Sequence, residues 1–159
     1  MAEAPLITSW TEYAAAGHQL IARATRSLLI FDRDLLSLRL EAPDQIAGLT
    51  RFLRASPTSV LRIALHTAEP LREKHPRLLE LLRLFAHKLH VVEIPVHLAN
   101  LKDSIVVADE SSALIRFHHD HARSKLIEDD PEAVRPYAKR FEEIWAEGGT
   151  PVSATTIGL

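Results

Sequence analysis

The chain contains no cysteine, so disulfide bridges, thiolate metal sites and cysteine nucleophiles are excluded. That absence fits a reducing compartment, and a cytoplasmic location is the expectation. Glycine is scarce, with 5 in 159 residues, and neither Gly-x-Gly-x-x-Gly nor a Walker A pattern occurs. A Gly-rich phosphate cradle is therefore excluded. Gly-x-Ser-x-Gly is missing too, which removes the nucleophile elbow of an α/β-hydrolase. No apolar run approaches the roughly 18 residues that span a bilayer, and the start, MAEAPL, lacks signal-peptide architecture. No membrane partner is expected. Neither sign of charge dominates: 19 Lys plus Arg face 21 Asp plus Glu, a net charge of -2. A broad basic footprint is absent, so nucleic acid is not an expected partner.

What is present is an ordinary globular composition, 47% hydrophobic and 25% charged, at a length that suits one domain. Residues 8–25 read as a helix. Ser9 and Glu12 have capping-box spacing, and Tyr13, Ala16, Leu20 and Ala24 share one face. Residues 28–31 form a continuous apolar run, as in a strand buried on both faces. Pro43 opens a second helix with Ile46, Leu49, Phe52 and Leu53 on one side, and Ser56 and Pro57 stop it. Residues 60–65 are the next strand. Pro76 begins a third helix bearing Leu78, Leu79, Leu82 and Phe85. Residues 90–94 form another strand, and 105–108 with 113–117 flank a turn and read as a β-hairpin.

Asp129, Asp130 and Pro131 start a last helix carrying Phe141, Ile144 and Trp145. Pro136 costs about 3 kcal/mol in a helix interior, so either the helix kinks or its main part begins near Arg135. The order is α-β-α-β-α-β-β-β-α. It predicts one α/β domain over 1–150, with a mainly parallel mixed sheet covered by helices on both faces. The tail 151–159 is expected to dock on that body, because its apolar residues would otherwise be exposed.

The strands 28–31 and 60–65, the hairpin 104–118 and the closing helix with Phe141, Ile144 and Trp145 resemble one half of a phospholipase-D-like domain. Active members carry His-x-Lys-x4-Asp at the start of the hairpin, with histidine as nucleophile and lysine on the phosphate. With Asp109 as the motif aspartate, the lysine position is Ser104 and the histidine position is Lys102. The downstream Gly-Ser-x-Asn falls at Arg116, Phe117 and His119, and none match. The resemblance thus implies the fold and argues against the chemistry. Two halves often pair in this superfamily, which implies a homodimer. The stretches Phe31–Leu35, Ile144–Trp145 and Thr155–Leu159 also resemble an uncharacterised bacterial domain found joined to the C-terminus of GNAT acetyltransferases. That likeness implies an acetyltransferase domain as partner.

Ligand sites in such sheets gather outside the carboxyl ends of strands. His66, after the second strand, falls there, as do Asp32, Arg33 and Asp34 after the first. That trio suits either ligand orientation or an ion-pair network tying the first loop to the hairpin. Arg116 and Arg123, with Lys102 and Lys125, offer a local basic patch for an anion. His118, His119, Asp120 and His121 are metal-ligating types. Alternation along an extended segment would put His118 and Asp120 on one face and His119 and His121 on the other, two ligands per face. No established metal spacing is present, so no metal and no cofactor are expected. The ligand-binding candidates are therefore Asp32, Arg33, Asp34, Arg116, His118, His119 and Arg123, with no catalytic residue among them. The reading is a catalytically inactive phospholipase-D-like binding, interaction or regulatory module. Its rival is a phosphodiesterase or nuclease using His118 or His119, with or without a metal.

Overall fold

The computed structural model describes residues 6–154. Eight strands form one sheet in the order β1-β7-β6-β5-β2-β3-β4-β8. In chain order they are β1 (Leu6–Ile7), β2 (Ser27–Asp32), β3 (Val60–Leu65), β4 (Leu89–Glu93), β5 (Ser104–Ala108), β6 (Ser112–Arg116), β7 (Ser124–Ile127) and β8 (Thr150–Val152). The helices are α1 (Trp10–Arg23), α2 (Pro43–Arg54), α3 (Glu69–Lys74), α4 (Pro76–Leu84) and α5 (Pro131–Ala146).

The α/β class and the mixed sheet with helices on both faces are as the sequence predicts. Strand β2 alternates its core. Leu28 and Ile30 pack with α1, α2 and α4, while Leu29 and Phe31 pack with Phe141 and Ile144 of α5. That two-sided burial is why its sequence reads as an unbroken apolar run. Parallel pairing is confined to β2–β3 and β3–β4. The pairs β2–β5, β5–β6, β6–β7, β1–β7 and β4–β8 are antiparallel. The sheet is thus parallel at its centre and antiparallel toward both edges, less parallel than helix–strand alternation alone suggests. Strands β1, β7 and β8 escape a sequence reading because they hold only two to four residues, too few for periodicity to register.

Helix α1 starts as expected. Ser9 is the N-cap, and its hydroxyl oxygen accepts from the Glu12 N–H at 3.1 Å. The Glu12 carboxylate accepts from the Ser9 hydroxyl at 2.9 Å instead of reaching the backbone. Helix α5 runs through Pro136 from its cap at Asp130, so its start is not displaced to Arg135. It ends at Gly148, whose φ of 81° is the left-handed geometry that favours glycine after a helix. Residues 151 and 152 lie within β8, paired with Val92 and Val91 of β4. The expected docking of 155–159 lies outside the described residues.

Candidate functional site

The carboxyl ends of β2 and β3 meet the hairpin β5–β6 at one end of the sheet. Asp32 is the last residue of β2, Ser104 the first of β5 and Arg116 the last of β6. Ser104 and Arg116 are register partners, and Asp32 adjoins them one position beyond the Phe31–Ile105 pair. All three side chains point to the α1 face and converge. Arg116 Nη2 donates to Asp32 Oδ1 at 2.6 Å and to Ser104 Oγ at 2.9 Å. Ser104 Oγ donates to the same Asp32 oxygen at 2.7 Å. Asp32 and Arg116 are each 1% exposed.

The Arg116 guanidinium also lies over two rings, 4.8 Å from the Tyr13 centroid and 5.2 Å from that of Trp10. Its Nε and Nη1 have no conventional acceptor, and neither does the Tyr13 hydroxyl a partner. The π faces account for part of what the guanidinium lacks. Burial, with Asp32 nearby, pushes the Tyr13 phenol well above its ordinary value, so it stays neutral. This cluster is a closed polar plug between α1 and the sheet.

The other Asp32 oxygen, Oδ2, accepts from the Leu35 N–H at 3.0 Å, and Asp34 Oδ1 accepts from the Leu36 N–H at 3.0 Å. Asp34 is thus spent on its own loop. Leu35 has φ 73° and is fully buried, an uncommon conformation for a branched apolar residue. The plug therefore holds the first loop in a strained shape.

At the same end of the sheet lies a surface pocket of about 220 Å³, lined by Arg33, His66, Lys102 and His119 with Ala99 and Leu101. The ladder between β2 and β3 continues past both strands. His66 N–H donates to the Asp32 carbonyl and Thr67 N–H to the Arg33 carbonyl, which sets His66 beside Arg33. His66 Nε2 is buried without a partner. Burial lowers the His66 pKa, the neighbouring His119 and Lys102 reinforce this, and the Leu101 backbone works against it. The ring is neutral at pH 7.

The segment after β6 is not extended. His121 N–H donates to the His118 carbonyl at 3.0 Å, closing a turn. The alternation expected for 118–121 fails for that reason. The turn instead brings His118, His119 and Asp120 to one side, with the His118 and His119 rings 4.8 Å apart. Desolvation works against the Asp120 carboxylate, but His119, His118 and Arg33 together hold it below its ordinary value. Arg123 stands apart, exposed, with its guanidinium 6.0 Å from the Phe117 ring.

The structure therefore sorts the sequence candidates into three groups. Arg33, His118 and His119 meet at the surface. Asp32 and Arg116 are joined beneath it, where no ligand in this conformation touches them. Asp34 and Arg123 are engaged elsewhere. His66 and Lys102 belong to the pocket but carry no motif. His66 follows the second buried strand, the strand-end position where the sequence places it.

Asp109 lies at the far end of β5, roughly 17 Å from Ser104 at about 3.4 Å per residue. Its carboxylate accepts from the N–H groups of Thr25, Arg26 and Ser27 at 3.0, 2.7 and 3.0 Å. Asp109 thus holds the start of β2 and is remote from the pocket.

Solved structures with this architecture include TrmBL2, an archaeal chromatin protein described as showing a novel mode of DNA binding. It shares 14% identity and a TM-score of 0.67, over 94% of this chain and 55% of that one. This chain thus spans little more than half of TrmBL2. NUC from Salmonella typhimurium, a phospholipase D family member, is 11% identical over 95% of this chain and 99% of its own, with a TM-score of 0.60. NucT from Helicobacter pylori is 11% identical over 93% and 98%, with a TM-score of 0.57. These likenesses show a phospholipase-D-like fold. No curated protein matches the sequence. At the level of sequence family, residues 9–153 match one family throughout, and the chain belongs to the domain of unknown function DUF7931.

Proposed function

We propose that this domain is a non-catalytic binding module on a phospholipase-D-like fold, and that it takes an anionic group in the pocket of Arg33, His66, Lys102 and His119. The observation that carries this reading is the Asp32–Ser104–Arg116 plug. Where the resemblance calls for the phosphate-binding lysine, Ser104 is buried and hydrogen-bonded to both members of the Asp32–Arg116 ion pair. Where it calls for the nucleophilic histidine, Lys102 contributes a cation and no imidazole. The two cations, Arg33 and Lys102, support anion recognition without turnover.

A phosphate group is the natural ligand chemistry, free or within a polynucleotide backbone. The DNA binding described for TrmBL2 makes a DNA backbone one source to test. The reading extends to a homodimer and to an acetyltransferase domain as the regulated partner, both suggested by sequence resemblance. The rival is a phosphodiesterase using His118 or His119.

One experiment separates them. A generic phosphodiester and single-stranded DNA are incubated with the protein, with and without divalent metal, while binding of inorganic phosphate and DNA is followed by amide chemical shifts. Binding centred on the pocket, weakened in Lys102→Ala and without turnover, supports the module. Binding of DNA whose affinity falls steeply with salt selects the polynucleotide source. Turnover that a His118→Ala, His119→Ala double variant abolishes establishes the enzyme instead.

A further inference from the structure

The turn that closes after β6 concentrates ligand chemistry beyond what anion binding uses. One ligand atom from each of His118, His119 and Asp120 lies within 4.8 Å of the other two. His119 Nδ1 is 2.9 Å from Asp120 Oδ1, and His118 Nδ1 is 3.8 Å from Asp120 Oδ2. Arg33 Nη1 sits between two of these groups, 3.3 Å from His119 Nδ1 and 3.4 Å from Asp120 Oδ1. A guanidinium has donors only. A positive charge is thus already held where an imidazole nitrogen and a carboxylate oxygen converge. Side-chain exposure is 52% for Arg33 and 57% for Asp120, so the guanidinium can swing away at little cost.

We propose that His118, His119 and Asp120 form a site for a divalent transition-metal ion of the zinc class, in competition with the Arg33 guanidinium. Two imidazoles and one carboxylate suit such an ion, whereas calcium and magnesium prefer all-oxygen sites. The Asp120 N–H, which donates to His118 Nδ1 at 3.1 Å, gives up that bond when the ring takes the ion. Three protein ligands leave a fourth position for water or an anion. His119 lines both the metal site and the pocket. This inference stands apart from the anion-binding reading, because its probe is the metal ion alone.

The test is calorimetric titration of the untagged full chain with Zn(II), paralleled by Co(II) optical spectra, in a buffer free of phosphate. One equivalent per chain is expected, with a ligand-field spectrum of low coordination number. Loss of an outer-shell partner already costs about 10–100-fold in metal affinity. His119→Ala and Asp120→Ala should therefore each weaken uptake by at least about tenfold, with circular dichroism confirming the fold. Arg33→Ala removes the competing cation and should tighten uptake, while His97→Ala, at a histidine paired with Glu147 elsewhere, should leave it unchanged. No stoichiometric uptake at micromolar to submillimolar metal overturns the proposal. So does uptake indifferent to both His119→Ala and Asp120→Ala.

Discussion

Arg116 and Asp32 form an ion pair in a setting where charge is expensive. Removing one partner from such a pair leaves an uncompensated buried charge and typically costs about 3–5 kcal/mol. Asp32→Asn should therefore lower Tm by roughly 10 °C in this size class. The double replacement Asp32→Leu with Arg116→Met should lose less, because apolar substitution of both partners removes the stranded charge. If the single and double variants melt alike, the pair is not what stabilises this end of the sheet.

Asp109 makes a contrasting contribution at the opposite end. Burial pushes its carboxyl up, but the N–H groups of Ser27, Arg26 and Thr25 outweigh that and hold its pKa below the ordinary value. A depressed folded pKa means stability that is present above the unfolded value of about 3.9 and is lost as pH falls through the folded one. Asp109→Asn should be destabilised relative to the parent at pH 7, with the gap closing as pH falls below the unfolded value of about 3.9. Denaturant titrations at several pH values check this, and a gap that persists at low pH would assign the loss to packing instead.

At the scale of elements, the edge strand β8 depends on a close approach. A Cβ at Gly149 would lie 2.7 Å from the Glu93 carbonyl oxygen and 3.1 Å from the Val92 Cβ. The first is backbone of β4 and cannot step aside like a flexible side chain. Gly149→Ala should push β8 off β4 and cost about 1–3 kcal/mol. Hydrogen exchange at Thr150 and Val152 should accelerate well beyond that of β2 and β3.

Helix α5 is tied down differently. Arg62 of β3 makes a forked pair with Glu142 at 2.5 and 2.7 Å and lies over the rings of Phe141 and Trp145. Long elements such as α1, α2, α5, β2 and β3 were legible because burial imposes a period on their sequences. Strands β1 and β7 were not, since each exists only through its antiparallel partner. The turn at 118–121 is hidden from the sequence for a related reason: the backbone bond between His118 and His121 that closes it leaves no mark on hydrophobic periodicity.

For the whole molecule, nine histidines set against a net charge of -2 place the sequence pI near 6.5. Histidine titrates in that range, so mild acidification reverses the sign of the net charge. Solubility should pass through a minimum near pH 6.5, where self-repulsion is smallest. A solubility series flat from pH 5 to 8 would contradict this.

Taken alone, the sequence determined the α/β class, the two-sided burial of the central strands and the hairpin. Those features are local, or follow from the period that burial imposes. Which polar groups meet was decided only by tertiary structure. Asp32, Ser104 and Arg116 come from three strands separated by up to 84 residues, and their meeting depends on the β2–β5–β6 register. The same packing sinks that trio beneath α1. It leaves Arg33, His66, Lys102 and His119 at the surface, because side-chain accessibility is a property of the assembled layers.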